Sequence, residues 1–417
     1  MYTYWNTIRR FNRDVILYLV FNSSIAFAYL GTINVLLNLY LLRLGYSTEF
    51  IGPMLASGMI IWGVLALPAG AVGARLGLKR SIVISMFILA ASALMLIGAG
   101  WLPAGWRAPG LVASWMLLWA GAALVSVNSL PYIMAITDDE NRSYVFAFQQ
   151  ALAALVTLLG SLISGVLPGV LARLLGVTLD QPLPYQLTML LGPVFYLIAG
   201  LVFLKIRPVS TAEHASGAGQ FQAAPLGVLA LLFLIFVLQS ISDGAARTFF
   251  NIYLDASLGM PVAQIGAAMG LSQVLPAAGS LLIPLMIARM GTRGAMLASN
   301  TLSVLFILLM AAIPNGTAAA LAFMGFTAAG SITAITRSIY SQEEVNPRWR
   351  TISSAIATLG IALGWAASAW LGGSLITVIG FKGLFLSGAL MALLASALTL
   401  VRVKAPSTLP GETPEAS

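Results

Sequence analysis

Apolar runs of about 20 residues recur twelve times along this 417-residue chain, and that feature decides what it can fold into. At ~1.5 Å of rise per residue, one such run crosses the ~30 Å hydrocarbon core of a bilayer as a single helix. The runs cover 15–42, 50–72, 81–101, 111–136, 145–168, 188–206, 226–254, 262–286, 295–314, 318–341, 351–375 and 383–402. Between them lies turn chemistry, such as Leu-Gly-Tyr-Ser at 44–47, Trp-Leu-Pro-Ala-Gly at 101–105 and Pro-Asn-Gly at 314–316. Charged residues make up 8% of the chain, against roughly a quarter in soluble domains, so it cannot clothe a water-facing surface. The expected fold class is an all-α integral membrane protein with about twelve transmembrane helices, and membrane lipids are its first partner.

The basic residues set the orientation. With the N-terminus in the cytoplasm, fifteen of the 21 Lys and Arg fall on the inner side, from Arg9, Arg10 and Arg13 to Arg402 and Lys404. Four fall outside: Arg43, Arg107, Arg173 and Lys382. This is the positive-inside pattern, so both termini are expected in the cytoplasm of a multi-pass protein of the plasma (inner) membrane. The net charge of +8 is then topology. A nucleic-acid surface would need basic clusters with interleaved aromatics, and no nucleic-acid partner is expected. Arg9, Arg10 and Arg13 resemble the start of a signal peptide, but the run that follows far exceeds a signal core of roughly 7–15 residues. It is read as a true span.

Several chemistries are excluded. Cysteine is absent, which removes thiol catalysis, disulfides and thiolate metal sites. There is no G-x4-G-K-[ST] phosphate loop to draw on ATP, and no H-E-x-x-H or Cys/His cluster to hold a metal. No enzyme, cofactor or metal is expected. The one histidine, His214, lies in the polar stretch 207–225 and reads as a solvated loop residue. Asn315 fits a glycosylation sequon but sits in a very short connection, where a turn role is expected.

An internal repeat divides the chain. At an offset of 213–214 residues, Gly70-x3-Ala74-Arg75-x-Gly77-x-Lys79 recurs as Pro284-x3-Ala288-Arg289-x-Gly291-x-Arg293. Asn38-x-Tyr40-Leu41 recurs as Asn251-x-Tyr253-Leu254, and Gly45 and Ile51-Gly52 match Gly259 and Ile265-Gly266. The domain reading is an N-terminal six-helix bundle at 1–206, a cytoplasmic linker at 207–225, a homologous six-helix bundle at 226–405, and a disordered tail at 406–417.

Twelve spans in two halves, a long central loop, and Gly70…Ala74-Arg75-Leu76-Gly77-Leu78-Lys79-Arg80 between spans two and three resemble the major facilitator superfamily over residues 10–405. The family motif is G-x-x-x-D-R-x-G-R-R. Here its aspartate is Ala74, and the repeat copy has Ala288, so the charge pair that the aspartate makes in the family is absent. The resemblance implies gating loops built on Gly70, Arg75, Gly77, Lys79, Arg289, Gly291 and Arg293. Arg75 or Arg289 would then pair with Asp138, Asp139, Glu140, Glu343 or Glu344, unless these loop charges serve topology and headgroup contact alone. It also implies a central cavity lined by spans one, four, seven and ten.

Charges inside spans are expensive in hydrocarbon and tend to face a cavity or a partner. Asp243 and Arg247 lie four residues apart on span seven, on one helix face where they can pair, and Asp243 is the only carboxylate within a predicted span. Arg337 on span ten is about one turn from the inner interface, where snorkelling and cavity lining are both open. Asn34, Asn128, Gln149, Gln273 and Tyr340 join these three as expected cavity groups; interhelical packing bonds are the competing role for each amide. Asn38 and Asn251, near the outer ends, read as structural, and Gly360-x3-Gly364 as a packing surface.

The function expected from these features is secondary active transport of a small-molecule solute by alternating access. One Asp against one or two Arg favours an anionic or zwitterionic substrate. If protons are a coupling partner, Asp243 is where they bind. A monomer is expected. The competing readings are an exporter of amphipathic drugs or lipids, and a transport-inactive membrane sensor.

Overall fold

The computed structural model describes residues 11–209, 226–280, 282–346 and 349–401. Most of the expected linker and the whole tail at 406–417, with His214, lie outside these residues. The described chain is helical, and ten stretches are long and apolar enough to cross a membrane. Arg350–Leu400 counts once among them, yet its 51 residues would extend ~76 Å as one rod. Gly380, at φ 69° and ψ 178°, breaks it into two crossings. Val262–Ser280 supplies a further apolar helix of 19 residues. Ten, one and one make the twelve helices expected.

In chain order these are α1 (Arg13–Arg43), α2 (Thr48–Leu76), α3 (Leu78–Gly98), α4 (Ala104–Ile136), α5 (Asp139–Leu175) and α6 (Leu183–Leu204). The second half holds α7 (Leu226–Ser257), α8 (Val262–Ser280 with its continuation at 283–290), α9 (292–312), α10 (Gly316–Glu343), α11 (350–379) and α12 (381–400). Asn315 is the N-cap of α10: its Oδ1 accepts from Ala318 N at 3.1 Å, a contact worth about 1 kcal/mol. The sequon asparagine is thus bound into the turn.

Positive-φ glycines make the repeat visible in the backbone. Gly45 (88°) and Gly259 (60°) turn the chain between the first two helices of each half, and Gly77 (85°) and Gly291 (72°) between the second and third. Gly176 (67°) and Gly380 (69°) do the same between the fifth and sixth, a pair with no counterpart in the sequence repeat. Only glycine enters this left-handed region without steric cost.

The halves meet through two equivalent crossings, α2 on α11 and α5 on α8. A Cβ on Gly165 would lie 3.0 Å from Gly266 Cα, and one on Gly52 would lie 3.3 Å from Gly373 Cα. Backbones therefore touch at both crossings, as small residues permit in membranes. At the same end Asn38 Nδ2 donates to Asn251 Oδ1 at 2.9 Å and to Thr248 O at 2.7 Å, while Asn251 Nδ2 donates to Val35 O at 3.1 Å. Val35 and Thr248 are themselves 213 residues apart, so each asparagine caps the opposite half's backbone about a pseudo-two-fold axis. Thr248 O is free for this bond because α7 is interrupted at Phe249 (φ −113°, ψ 12°). Beyond them Arg43 Nη2 donates to Asp255 Oδ1 at 2.9 Å.

Candidate functional site

Between the halves lies a cavity of about 540 Å³. Its charges come from two helices of the second half. On α7, Asp243 Oδ1 and Arg247 Nε are 4.0 Å apart, too far for a hydrogen bond, so both groups keep capacity for another partner. Gly330 of α10 faces this pair. A Cβ there would sit 3.4 Å from Arg247 Nη2 and 3.5 Å from Asp243 Oδ1, so a larger side chain would fill the space the pair occupies.

Arg337 lies in the same cavity wall, only 5% exposed, and does not reach toward an interface. Its guanidinium stacks over Phe236 with 4.5 Å to the ring centroid, and its Nη1 donates to Gln239 Oε1 at 3.0 Å. Both partners are on α7, so Arg337 ties α10 to it. One carboxylate against two guanidinium groups gives the cavity a formal charge of +1.

The remaining wall is aromatic. Trp115 and Trp119 of α4 pack edge to face with centroids 5.9 Å apart, and Tyr29 of α1 meets Trp119 at 5.7 Å. Gly58 of α2 makes room for the two indoles: a Cβ there would lie 2.5 Å from Trp115 Nε1. Trp62 donates to Ser126 Oγ at 3.2 Å, and Trp365 of α11 lines the opposite side beside Gly244.

The sequence profile of the Major Facilitator Superfamily matches the chain twice, over residues 19–233 and 232–417. The chain belongs to that superfamily. It is a membrane transporter in fold and family, and the double match repeats the division into two halves. No curated protein matches it significantly in sequence. Among solved structures it is similar to the nucleoside transporter NupG at 16% identity and TM-score 0.71, covering 94% of this chain and 100% of that one. It is also similar to a bacterial homologue of the human lysosomal transporter Spinster, in an inward-facing and occupied conformation, at 13% identity and TM-score 0.73, covering 93% and 96%. The human organic anion transporter MFSD10 aligns at 16% identity and TM-score 0.63, covering 93% and 99%. At these identities the likeness is one of fold.

Within this transporter the cavity gathers Asn34, Asp243, Arg247, Gln273 and Arg337 of the residues expected there. Three expectations need correction. Asn128 is buried and donates to Ala69 O at 3.1 Å and Ser81 Oγ at 3.2 Å, fastening α4 to α2 and α3. Gln149 donates to Asn22 Oδ1 at 3.2 Å, joining α5 to α1 away from the cavity wall. Tyr340 is buried in an apolar cluster with Val228, Leu229 and Trp349. In each case the polar atom or ring is taken up by packing between helices, the competing role for such residues in lipid. Asn38, read as structural, both bonds the opposite half and forms part of the cavity wall.

The motif residues sit at two helix junctions. Gly70 and Arg75 belong to α2 itself rather than to a loop, Gly77 is the break, and Lys79 donates from α3 to Leu204 O at 2.8 Å. In the second copy Arg289 and Arg293 flank Gly291. Arg75 and Arg289 are exposed, and Glu343 accepts instead from Thr292 Oγ1 at 3.0 Å. Of the other expected partners, the side chains of Asp139 and Glu140 lie outside the described residues.

The tryptophans went unread in the sequence. Their signal was position, since tryptophan gathers at the membrane interfaces, and Trp62 and Trp365 stand in the middle of their spans. An aromatic at mid-membrane that is not at an interface is a candidate for a cavity wall.

Proposed function

We propose that this superfamily member is a secondary active carrier that moves an anionic or zwitterionic small solute by alternating access. The observation that carries the reading is the cationic centre of Asp243, Arg247 and Arg337 in a cavity enclosed by both halves. Buried charge of one sign is costly in a membrane and is retained where a ligand or ion offsets it. The halves at 1–206 and 226–405 rock as near-rigid bundles about this site, joined by the linker at 207–225, with both termini in the cytoplasm. Asp243 is the proton site: protonation removes its attraction for Arg247 and frees that guanidinium for the anionic group of the solute. Substrate and proton then favour the same conformation.

The test is counterflow in proteoliposomes. Liposomes holding the purified protein and preloaded with candidate solutes should show saturable, substrate-specific exchange of small anions or zwitterions. Binding without flux would leave a sensor. The aromatic wall supports a second reading, an exporter of amphipathic drugs or lipids; efflux of hydrophobic cations with no exchange of anions would establish it in place of the first.

A further inference from the structure

Arg337 is a buried cation with unused donors. Its Nε has no hydrogen-bond partner among the described residues, and no carboxylate among them comes within 4.0 Å of its guanidinium. Gln239, which accepts from Arg337, is 3% exposed and leaves its own Nε2 without a partner. Two adjacent side chains thus carry buried N–H groups that lack an acceptor, and of the two Arg337 lines the cavity. The stacking on Phe236 offsets part of the desolvation but supplies no acceptor. A planar guanidinium with a free edge is complementary to a carboxylate, which it can grip with two parallel bonds.

The rest of the cavity defines what such a carboxylate is attached to. Four of the nine tryptophans, Trp62, Trp115, Trp119 and Trp365, line it together with Tyr29. Trp119 Nε1 is buried without a partner among the described residues. Aromatic walls bind flat ring systems through stacked and edge-to-face contacts. They also bind organic cations, but a centre with two arginines and one aspartate opposes a positive ligand. A volume of about 540 Å³ lies within the range of sites for drug-sized molecules.

We infer that the solute is an aromatic carboxylate, its carboxylate held by Arg337 and its ring held in the tryptophan wall. This rests on the reading of the protein as a carrier of anions and narrows it. Arg337 is the standing contact for the carboxylate, and Arg247 joins it when protonation of Asp243 releases that guanidinium.

The experiment is binding to the full-length protein in lipid nanodiscs, read by thermal stabilisation and tryptophan fluorescence. Four probes are compared: 2-naphthoate, the uncharged 2-naphthamide, cyclohexanecarboxylate and tetraphenylphosphonium. The wild-type protein should bind 2-naphthoate at least tenfold more tightly than each of the others, with quenching of tryptophan emission. Arg337→Gln should weaken 2-naphthoate at least tenfold and leave 2-naphthamide unchanged, and Arg337→Lys should fall between. The wild-type comparison needs no variant to fold. Equal binding of the naphthoate and the amide would overturn the carboxylate contact, and equal binding of the naphthoate and the saturated acid would overturn the aromatic wall. Tighter binding of the phosphonium, or no binding of 2-naphthoate at millimolar concentration, would overturn the inference as a whole. A protein that exchanges non-aromatic anions in liposomes but ignores 2-naphthoate keeps the carrier reading and loses this one.

Discussion

Asp243 has one guanidinium at 4.0 Å and a second, Arg337, in the same cavity wall. Replacing its carboxylate with an amide keeps the shape and removes the charge that a proton would neutralise. Asp243→Asn should therefore retain counterflow at a rate within a few-fold of wild type, while accumulation driven by a pH gradient falls to none. Accumulation in liposomes with an imposed pH step checks this, and a variant that still concentrates solute would reduce Asp243 to a structural partner of Arg247. The charged residues of the site were legible in the sequence because a charge inside an apolar run stands out against everything around it. The amides were not. Asn34 and Gln273 reach the cavity while Asn128 and Gln149 serve helix packing, and one-dimensional spacing does not distinguish two faces of a helix that are both buried. Trp115 and Trp119 were hidden for a related reason: their α4 stretch reads as uniformly apolar, and only the fold reveals which side is the cavity.

Among the elements, glycines separate contacts that hold a half together from contacts between halves. Gly364 of α11 lies against α7 within the second half, where a Cβ would come 2.6 Å from both Ser240 Cβ and Val237 O. Overpacking of this kind costs about 1–3 kcal/mol. Gly364→Leu should lower the thermal midpoint of the purified protein by several degrees; an unchanged midpoint would show that α11 can move away from α7 freely. Gly266 of α8 instead meets Gly165 across the two halves. Gly266→Leu should leave the fold intact and disfavour closure at this end, so stability and transport separate for the two variants. Near-wild-type transport in Gly266→Leu would argue that this crossing does not change during the cycle. Helix number and repeat were readable here, since length, hydropathy and glycine turns are local properties, whereas α4 and α5 run beyond their expected spans. The pairing of α5 with α8 and α2 with α11 was not, because uniformly apolar helices carry little information about which neighbour they choose.

For the whole molecule, the end marked by Arg43 and Asp255 is where the two halves are fastened. Asn38 and Asn251 bond each other and the opposite backbones there, Thr48 Oγ1 donates to Gly373 O at 3.1 Å, and Arg43 also donates through Nε to Leu179 O at 3.0 Å. At the other end, the bonds from Lys79 to Leu204 and from Thr292 to Glu343 each stay within one half. This superfamily member lacks the motif aspartate at Ala74, and the ion pair between Arg43 and Asp255 joins the halves at the opposite end of the molecule, where it is expected to act as a lock. A hydrogen bond to a charged group contributes about 1.5–3 kcal/mol, enough to shift a two-state balance roughly tenfold or more. The natural absence of cysteine allows a direct measurement. Ala334→Cys places one thiol on the cavity wall, and its labelling by a membrane-impermeant maleimide from the Arg43 side reports opening there. In that background Arg43→Asp should speed labelling about tenfold by setting two carboxylates against each other. Exchanging both charges, Arg43→Asp with Asp255→Arg, should slow it most of the way back to the original rate. If the exchanged pair labels as fast as the single variant, Arg43 acts through Leu179 within its own half, and the closure belongs to the asparagine pair and the glycine crossings.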